Sequence, residues 1–267
     1  MSLPSIAFIG AGNMGAAMLR GLVAGKALPA SQVHATDLDS AKLEALAALG
    51  IQTHPAAIAA VRAAQVVVLA TKPQGFAELL PALAKVIRPE QLIISIAAGK
   101  TLATLQAAFP QNPIIRVMPN TPGLIGEGVS AYCLGLHATT SDAIQAEAIL
   151  KPLGLVIKVD EKAIDAVTAL SGSGPAYVFL FMEALQSAGQ QLGLSEQDSF
   201  ELAAQTLRGA AGMIQKKEHS PAKLREMVTS PGGTTAAALK SFEEGDLRGQ
   251  VLKAMTAARD RSIELGK

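Results

Sequence analysis

The chain has no tryptophan, a single cysteine, four histidines and almost no excess charge, and each shortage narrows what it can be. Aromatic residues make up only 3% of it, so its core must be aliphatic. That scarcity also argues against the stacking platforms on which proteins lay out single-stranded nucleic acid. A net charge of +1 provides no field to attract DNA, acidic membranes or other polyanions. One cysteine, Cys133, excludes an internal disulfide framework and any multi-cysteine zinc site. Within the strand-like run Val129 to Cys133 it reads as a small buried apolar residue. His34, His54, His137 and His219 show neither H-x-x-H nor H-E-x-x-H spacing, so no metal site is expected. No charged leader with an apolar run opens the sequence, and no uninterrupted apolar stretch reaches about 18 residues. The expectation is a soluble cytoplasmic protein with a small-molecule partner, and with neither nucleic acid nor membrane as a partner.

What is present points to a nucleotide. Ile6 to Ile9 is an apolar run that leads straight into Gly10-Ala11-Gly12-Asn13-Met14-Gly15, and Met18, Leu19 and Leu22 follow at helical spacing. In a strand, turn and helix of this kind the glycines have separate duties. Gly10 makes the turn, Gly12 lets backbone approach a pyrophosphate, and Gly15 lets helix and strand pack closely. The phosphates sit on unpaired N–H groups at the positive end of the helix. A merely tight strand-to-helix turn would use the same glycines, but Asp37 closes a second strand about 20 residues beyond Gly15, where a dinucleotide fold places the acid that bonds the adenosine ribose.

Strand and helix then alternate. Val66 to Ala70 is apolar on both faces, as a central parallel strand should be. Leu92 to Ile96 and Ile114 to Val117 follow, and Val129 to Cys133 and Leu155 to Val159 flank a helix over Ser141 to Leu150. This order predicts an α/β fold, a Rossmann-type parallel sheet covered on both faces, over residues 1–162. From residue 163 to 267 only helical periodicity remains, which predicts an all-helical second domain. Its helix from Pro175 to Leu192 begins apolar on nearly every face (Ala176 to Met182), so it must be covered all round, in part by a second copy of the chain.

Three loops follow successive parallel strands on the edge where open α/β sheets bind ligands: Thr71-Lys72-Pro73-Gln74, Ser95 to Gly99, and Met118-Pro119-Asn120-Thr121-Pro122. Gly99-Lys100-Thr101 is not the end of a P-loop, because Ile94 stands where the first glycine is required. In the helical part, Ser230-Pro231-Gly232-Gly233-Thr234-Thr235 opens a helix with a glycine pair, free N–H groups and three hydroxyls, a set that suits a carboxylate. His219 beside Glu218 is acid–base chemistry by composition, but a solvated loop accounts for both.

With these motifs in hand the chain resembles the pyrroline-5-carboxylate reductase family. The matching stretches are Phe8 to Gly15, Lys72 to Gln74, Ser95 to Gly99, Met118 to Pro122, Ser171 to Tyr177 and Ser230 to Thr235, in family order over essentially the whole length. The resemblance implies a helical domain that forms a homodimer, often within a larger ring. It also implies hydride transfer from NADPH or NADH to the C=N carbon of 1-pyrroline-5-carboxylate, giving L-proline. Carried onto this sequence, Gly10, Ala11, Gly12, Asn13, Met14 and Gly15, then Ala70, Thr71, Lys72 and Pro73, then Ile96, Ala97 and Ala98 hold the cofactor beside Asp37. Ser230, Gly233, Thr234 and Thr235 hold the substrate, with Asn120 and Glu161 as further candidates and Thr235 as the catalytic hydroxyl. Ala57 and Gln65 depart from the family pattern near the adenosine.

The chemistry agrees with what the sequence lacks. A cyclic imine is already electrophilic, so the protein has to position it and neutralise its carboxylate, and no strong general base is required. A hydroxyacid dehydrogenase of the same two-domain plan needs a group for the alcohol proton, and no His/Asp pair supplies one. A non-catalytic nucleotide sensor leaves the hydroxyls of Ser230 to Thr235 without a role.

Overall fold

The computed structural model describes residues 3–266. The first part alternates strand and helix: β1 (Ile6–Ile9), α1 (Asn13–Ala24), β2 (Val33–Thr36), α2 (Ser40–Ala47), β3 (Gln52–Thr53), α3 (Ala57–Ala63), β4 (Val66–Leu69), α4 (Phe76–Ala84), β5 (Leu92–Ser95), α5 (Leu102–Ala108), β6 (Ile114–Met118), β7 (Gly128–Leu134), α6 (Thr140–Leu150) and β8 (Gly154–Lys158). The strands form one sheet of eight in the order β3-β2-β1-β4-β5-β6-β7-β8. Alternation of side chains along the central strands divides the interior in two. Phe8, Val68 and Ile94 join Met18, Leu19 and Leu22 of α1 and Ile149 of α6 on one face. Ile9, Val67, Leu69 and Ile93 join Val61 of α3, Phe76 and Leu83 of α4 and Leu105 of α5 on the other. Each fully buried Leu or Ile stabilises the fold by on the order of 2 kcal/mol, so a strand apolar on both faces is worth more here than one that alternates.

The sequence order predicts a parallel sheet, but one pairing of the eight strands departs from it. β6 and β7 pair antiparallel, with Val117 opposite Tyr132. The connection Pro119 to Glu127 holds only a tight 3-10 turn, Thr121–Ile125, ended by Gly126 at φ +77°. A parallel crossover needs about a dozen residues or more, so this chain can only turn back. β8 returns parallel to β7 through α6, whose start is fixed by the reciprocal Thr139 and Asp142 capping box.

The remaining elements are helical: α7 (Ile164–Val167), α8 (Gly174–Gln191), α9 (Glu196–Gln215), α10 (Pro221–Met227), α11 (Thr234–Glu244) and α12 (Leu247–Leu265). By compactness one unit runs to Ser173 and takes back the chain from Ala258, and the other is Gly174–Ala257. Residues 163–173 belong with the sheet because Ile164 lies in its second core with Ile114 and Cys133, and because the Ser171 carbonyl accepts from the Asn120 side chain at 3.1 Å. In the helical unit α8 and α9 approach closely where Gly189 faces Ser199, since a Cβ on Gly189 would lie 2.7 Å from the Ser199 hydroxyl. Ser195 caps α9, and Ser220 caps α10 with Pro221 at its first helical position.

The sequence predicts a helix that needs cover on every side, in part from a second copy, and in the single chain α8 has no buried residue. Val178, Phe179 and Leu180 are 51%, 60% and 67% exposed. The helical stretch Glu161–Gln191 is even long and apolar enough to cross a membrane by length and composition. An apolar face of this extent needs a cover that one chain does not supply. A second copy is the cover expected, so light scattering should give a dimer or a multiple of it for the wild-type protein. Phe179→Asp buries an unpaired charge in such an interface and should weaken association by several kcal/mol, about 3–5. A wild-type monomer, or a variant that associates as well as wild type, would contradict this.

Candidate functional site

The sheet reverses its winding between β1 and β4, and the crevice at the carboxyl ends of the strands around that point is where open α/β sheets bind ligands. Gly10 leaves β1 at φ +103°, and a Cβ there would lie 2.8 Å from the Ala70 carbonyl carbon and oxygen and 2.9 Å from the Thr71 nitrogen. The two loops therefore meet backbone to backbone. Gly15, on the first turn of α1, faces the Gly10 carbonyl oxygen at 2.6 Å from where its Cβ would be. Gly12 is different: a side chain there would meet nothing within 4 Å. It is the N-cap of α1, whose first turn carries neither a side-chain cap nor an acid. Free amide donors at the positive end of a twelve-residue helix, open above a glycine, form a cradle for a diphosphate.

The other cofactor residues read from the sequence line the same edge. Ala70 donates its N–H to Ile9 and Ile96 donates to Leu69, which ties the ends of β1, β4 and β5 together. Ala97 is buried and Ala98 exposed, while Lys72 and Asn13 face solvent and Met14 and Pro73 are half-buried. The Thr71 hydroxyl is buried without a hydrogen-bond partner. A buried hydroxyl left unpaired costs about 1–3 kcal/mol, so its place on this edge fits a group that a bound nucleotide would supply.

Asp37 lies at the end of β2, with one carboxylate oxygen accepting from the Ala11 N–H at 2.7 Å and the other from the Asp39 N–H at 3.0 Å. The Lys42 ammonium is 3.5 Å away. Burial pushes this carboxyl up, but the two amide donors and Lys42 outweigh it and hold Asp37 below the usual carboxylate range. Asp37 is thus a fixed negative charge that also anchors the glycine loop. One pair of residues escaped the sequence reading: His34 Nδ1 and His54 Nε2 are 3.0 Å apart, brought together because β2 and β3 pair in register. Burial, then His54, holds the His34 imidazole below its ordinary range. No group of three or more possible metal ligands occurs among the described residues.

Two residues proposed for the substrate have other partners. Asn120 accepts the Val129 N–H at 2.8 Å and donates to the Ser171 carbonyl, so both ends of its amide are committed to the chain. Glu161 Oε1 accepts from the Leu102 N–H at 2.6 Å and from the buried Arg116 guanidinium at 3.0 Å. In the helical unit, Ser230 to Gly233 form a turn closed by the Gly233 N–H on the Ser230 carbonyl at 3.0 Å, with Gly232 at φ +70°. α11 begins there without a side-chain cap. Thr234 and Thr235 occupy its first turn, Thr234 exposed and Thr235 half-buried, and their hydroxyls cap nothing.

Comparison with known proteins agrees with this geometry. Residues 161–265 match the family model described as pyrroline-5-carboxylate reductase dimerisation, and residues 5–99 match one described as NADP oxidoreductase, coenzyme F420-dependent. The chain is 45% identical to pyrroline-5-carboxylate reductase of Pseudomonas aeruginosa over 100% of this chain and 98% of that one. The pyrroline-5-carboxylate reductase structure from Coxiella burnetii is 38% identical, with a TM-score of 0.94 over 99% of both chains. The Plasmodium falciparum enzyme, solved with NADP bound, is 30% identical, with a TM-score of 0.88 over 100% of both.

The charge on Asp37 bears on the choice between the two nicotinamide cofactors. A carboxylate in that place would accept from ribose hydroxyls and repel a 2′-phosphate, so the protein should bind NADH at least as tightly as NADPH. Asp37→Asn keeps the shape and removes the charge, and should improve NADPH relative to NADH by about tenfold, or about 1.4 kcal/mol. Titration of both cofactors against both proteins checks this. A hundredfold wild-type preference for NADPH, or a ratio unmoved by the substitution, would contradict it.

Proposed function

Because the chain belongs to the pyrroline-5-carboxylate reductase family, we propose that it reduces 1-pyrroline-5-carboxylate to L-proline, with its cofactor on the Gly10 to Gly15 edge and its substrate on the turn from Ser230 to Thr235. The observation that carries this assignment of residues is that α1 and α11 both start without a side-chain cap, α1 at an open glycine cradle and α11 on a hydroxyl-bearing turn. NADH or NADPH, when bound, supplies the hydride. The Gly12 to Gly15 amides receive its diphosphate, Asp37 its ribose, and the Thr71 hydroxyl, Ala97 and Ala98 its other end.

The chain's part in the reaction is electrostatic and geometric. The substrate's carboxylate takes the free N–H groups of Thr234 and Thr235 and the Ser230 hydroxyl, where the dipole of α11 favours negative charge. The Thr235 hydroxyl bonds the ring nitrogen and so fixes which face of the C=N bond is presented. A protonated imine that accepts hydride at carbon becomes the amine directly, with the proton already on nitrogen. No side chain has to remove a proton, in keeping with the absence of a basic group among the residues assigned to the substrate. Asn120 and Glu161 act through the backbone they hold.

Dimerisation follows from the family, and α8 is its apolar surface. A larger ring of dimers and a cytoplasmic location belong to the same reading, and the balanced charge of the chain supports neither a nucleic acid nor a membrane as partner.

Thr235→Ala tests the assignment. A hydrogen bond to a charged group is worth about 1.5–3 kcal/mol, so kcat/KM for the imine should fall by about ten- to a hundredfold while cofactor affinity holds. Because Thr235 caps nothing, the thermal midpoint should stay near that of wild type. Unchanged kcat/KM would remove Thr235 from the site.

A further inference from the structure

We propose that Glu161, Asp165 and Ser262 are positioning residues that clamp the loop Ile96 to Thr101 in its cofactor-binding form. The inference rests on the reading of that loop as part of the cofactor site. The contacts form a closed circuit. Glu161 takes the N–H of Leu102, the first residue of α5 and the residue on which the loop ends, at 2.6 Å. The same oxygen holds Arg116, which projects from β6 and is 5% exposed. One helical turn on, Asp165 accepts from the Ser262 hydroxyl at 2.7 Å, and Ser262 is itself 7% exposed, near the end of α12. From there α12 runs to Leu265, whose carbonyl oxygen lies 3.0 Å from where a Cβ of Gly99 would be, and Gly99 sits at φ +71° in the loop. Gly266 in turn lies beside Thr101, 3.6 Å from its methyl group by the same measure.

The loop is therefore held at its far end by a carboxylate and pressed at its middle by the end of a helix. Both restraints come from the two ends of the segment matched to the dimerisation family model, 161 and 265. Within the loop, Gly99 has no side chain with which to hold its own conformation, and Ala97 and Ala98 contribute only methyl groups. Its own restraints are two long bonds, the Ala97 N–H to the Ser95 hydroxyl and the Lys100 N–H to the Ala97 carbonyl, both at 3.4 Å, with Thr101 capping α5, so contacts from outside add to what holds its shape. Ordering it in advance removes an entropy cost that cofactor binding would otherwise bear, so the clamp acts on cofactor affinity and not on the imine.

The test is direct titration of NADH and NADPH, with kinetics for the imine and thermal midpoints, on Glu161→Ala, Glu161→Gln and Ser262→Ala. Glu161→Ala loses a charge-assisted bond and should raise the cofactor Kd about tenfold, with KM for the imine within about twofold. Glu161→Gln keeps an acceptor for the Leu102 N–H and should recover most of that loss. Ser262→Ala should raise Kd about threefold, and it decides the matter if Glu161→Ala does not fold. A lowered midpoint with unchanged cofactor Kd would make the clamp merely structural and overturn the proposal. A raised KM for the imine with unchanged cofactor Kd would overturn it too, by returning Glu161 to the substrate site. Ala98→Asp is the control, since it sets a negative charge on the loop itself. If cofactor binding ignores that charge, the reading of the loop fails and the proposal with it. If binding weakens there while the clamp variants bind normally, only the clamp is lost.

Discussion

Gly10 has no room for a side chain, and the rest of the cofactor edge depends on that. Its Cα faces the peptide between Ala70 and Thr71 so closely that any Cβ would overlap backbone, and backbone cannot move aside as a side chain can. The close approach holds the ends of β1 and β4 together at the point where the sheet reverses its winding. Beside it α1 starts uncapped at Gly12, where a side chain would meet nothing, and the Thr71 hydroxyl is buried without a partner. A substitution at Gly10 would strain φ and push the two loops apart together.

Two kinds of polar group serve the fold, and they are spent differently. Asp37, Asn120, Glu161 and Asp165 have long-range partners that fix loops to the sheet and to α12, and those contacts leave them little freedom to change role. The hydroxyls and amides of Thr234 and Thr235 at the start of α11, and the amides at the start of α1, make no such commitments. Unsatisfied donors at two helix starts, one in each compact unit, are what a negatively charged cofactor and a carboxylate substrate require. Under the proposed assignment these two starts would hold the cofactor and an electrophile that needs only to be positioned.

Much of this was legible in the residues, because local chemistry determined it. The glycine spacing, the doubly apolar run Val66 to Ala70 and the glycine pair with hydroxyls at Ser230 to Thr235 all act within a few residues of themselves. What escaped depended on distance along the chain. Glu161 looked free for a substrate because its partners, Leu102 and Arg116, are 59 and 45 residues away. His34 and His54 become a pair only once β2 and β3 are in register. The antiparallel return of β7 followed from the length of a Pro/Gly connection that resembles any other loop in composition. The need of α8 for cover, in part from a second copy, was legible because its apolar residues fall on nearly every face, but how little of that cover its own chain supplies was not.

The central claim is that this protein reduces a cyclic imine by positioning it, without a general base. The most direct measurement follows nicotinamide absorbance on addition of 1-pyrroline-5-carboxylate, with product analysis, against 2-keto and 2-hydroxy acids as comparison substrates. Cofactor oxidation matched one for one by L-proline, with the acids inert, is the result expected. Tight cofactor binding without turnover of the imine, or faster turnover of a hydroxy acid, would contradict the account.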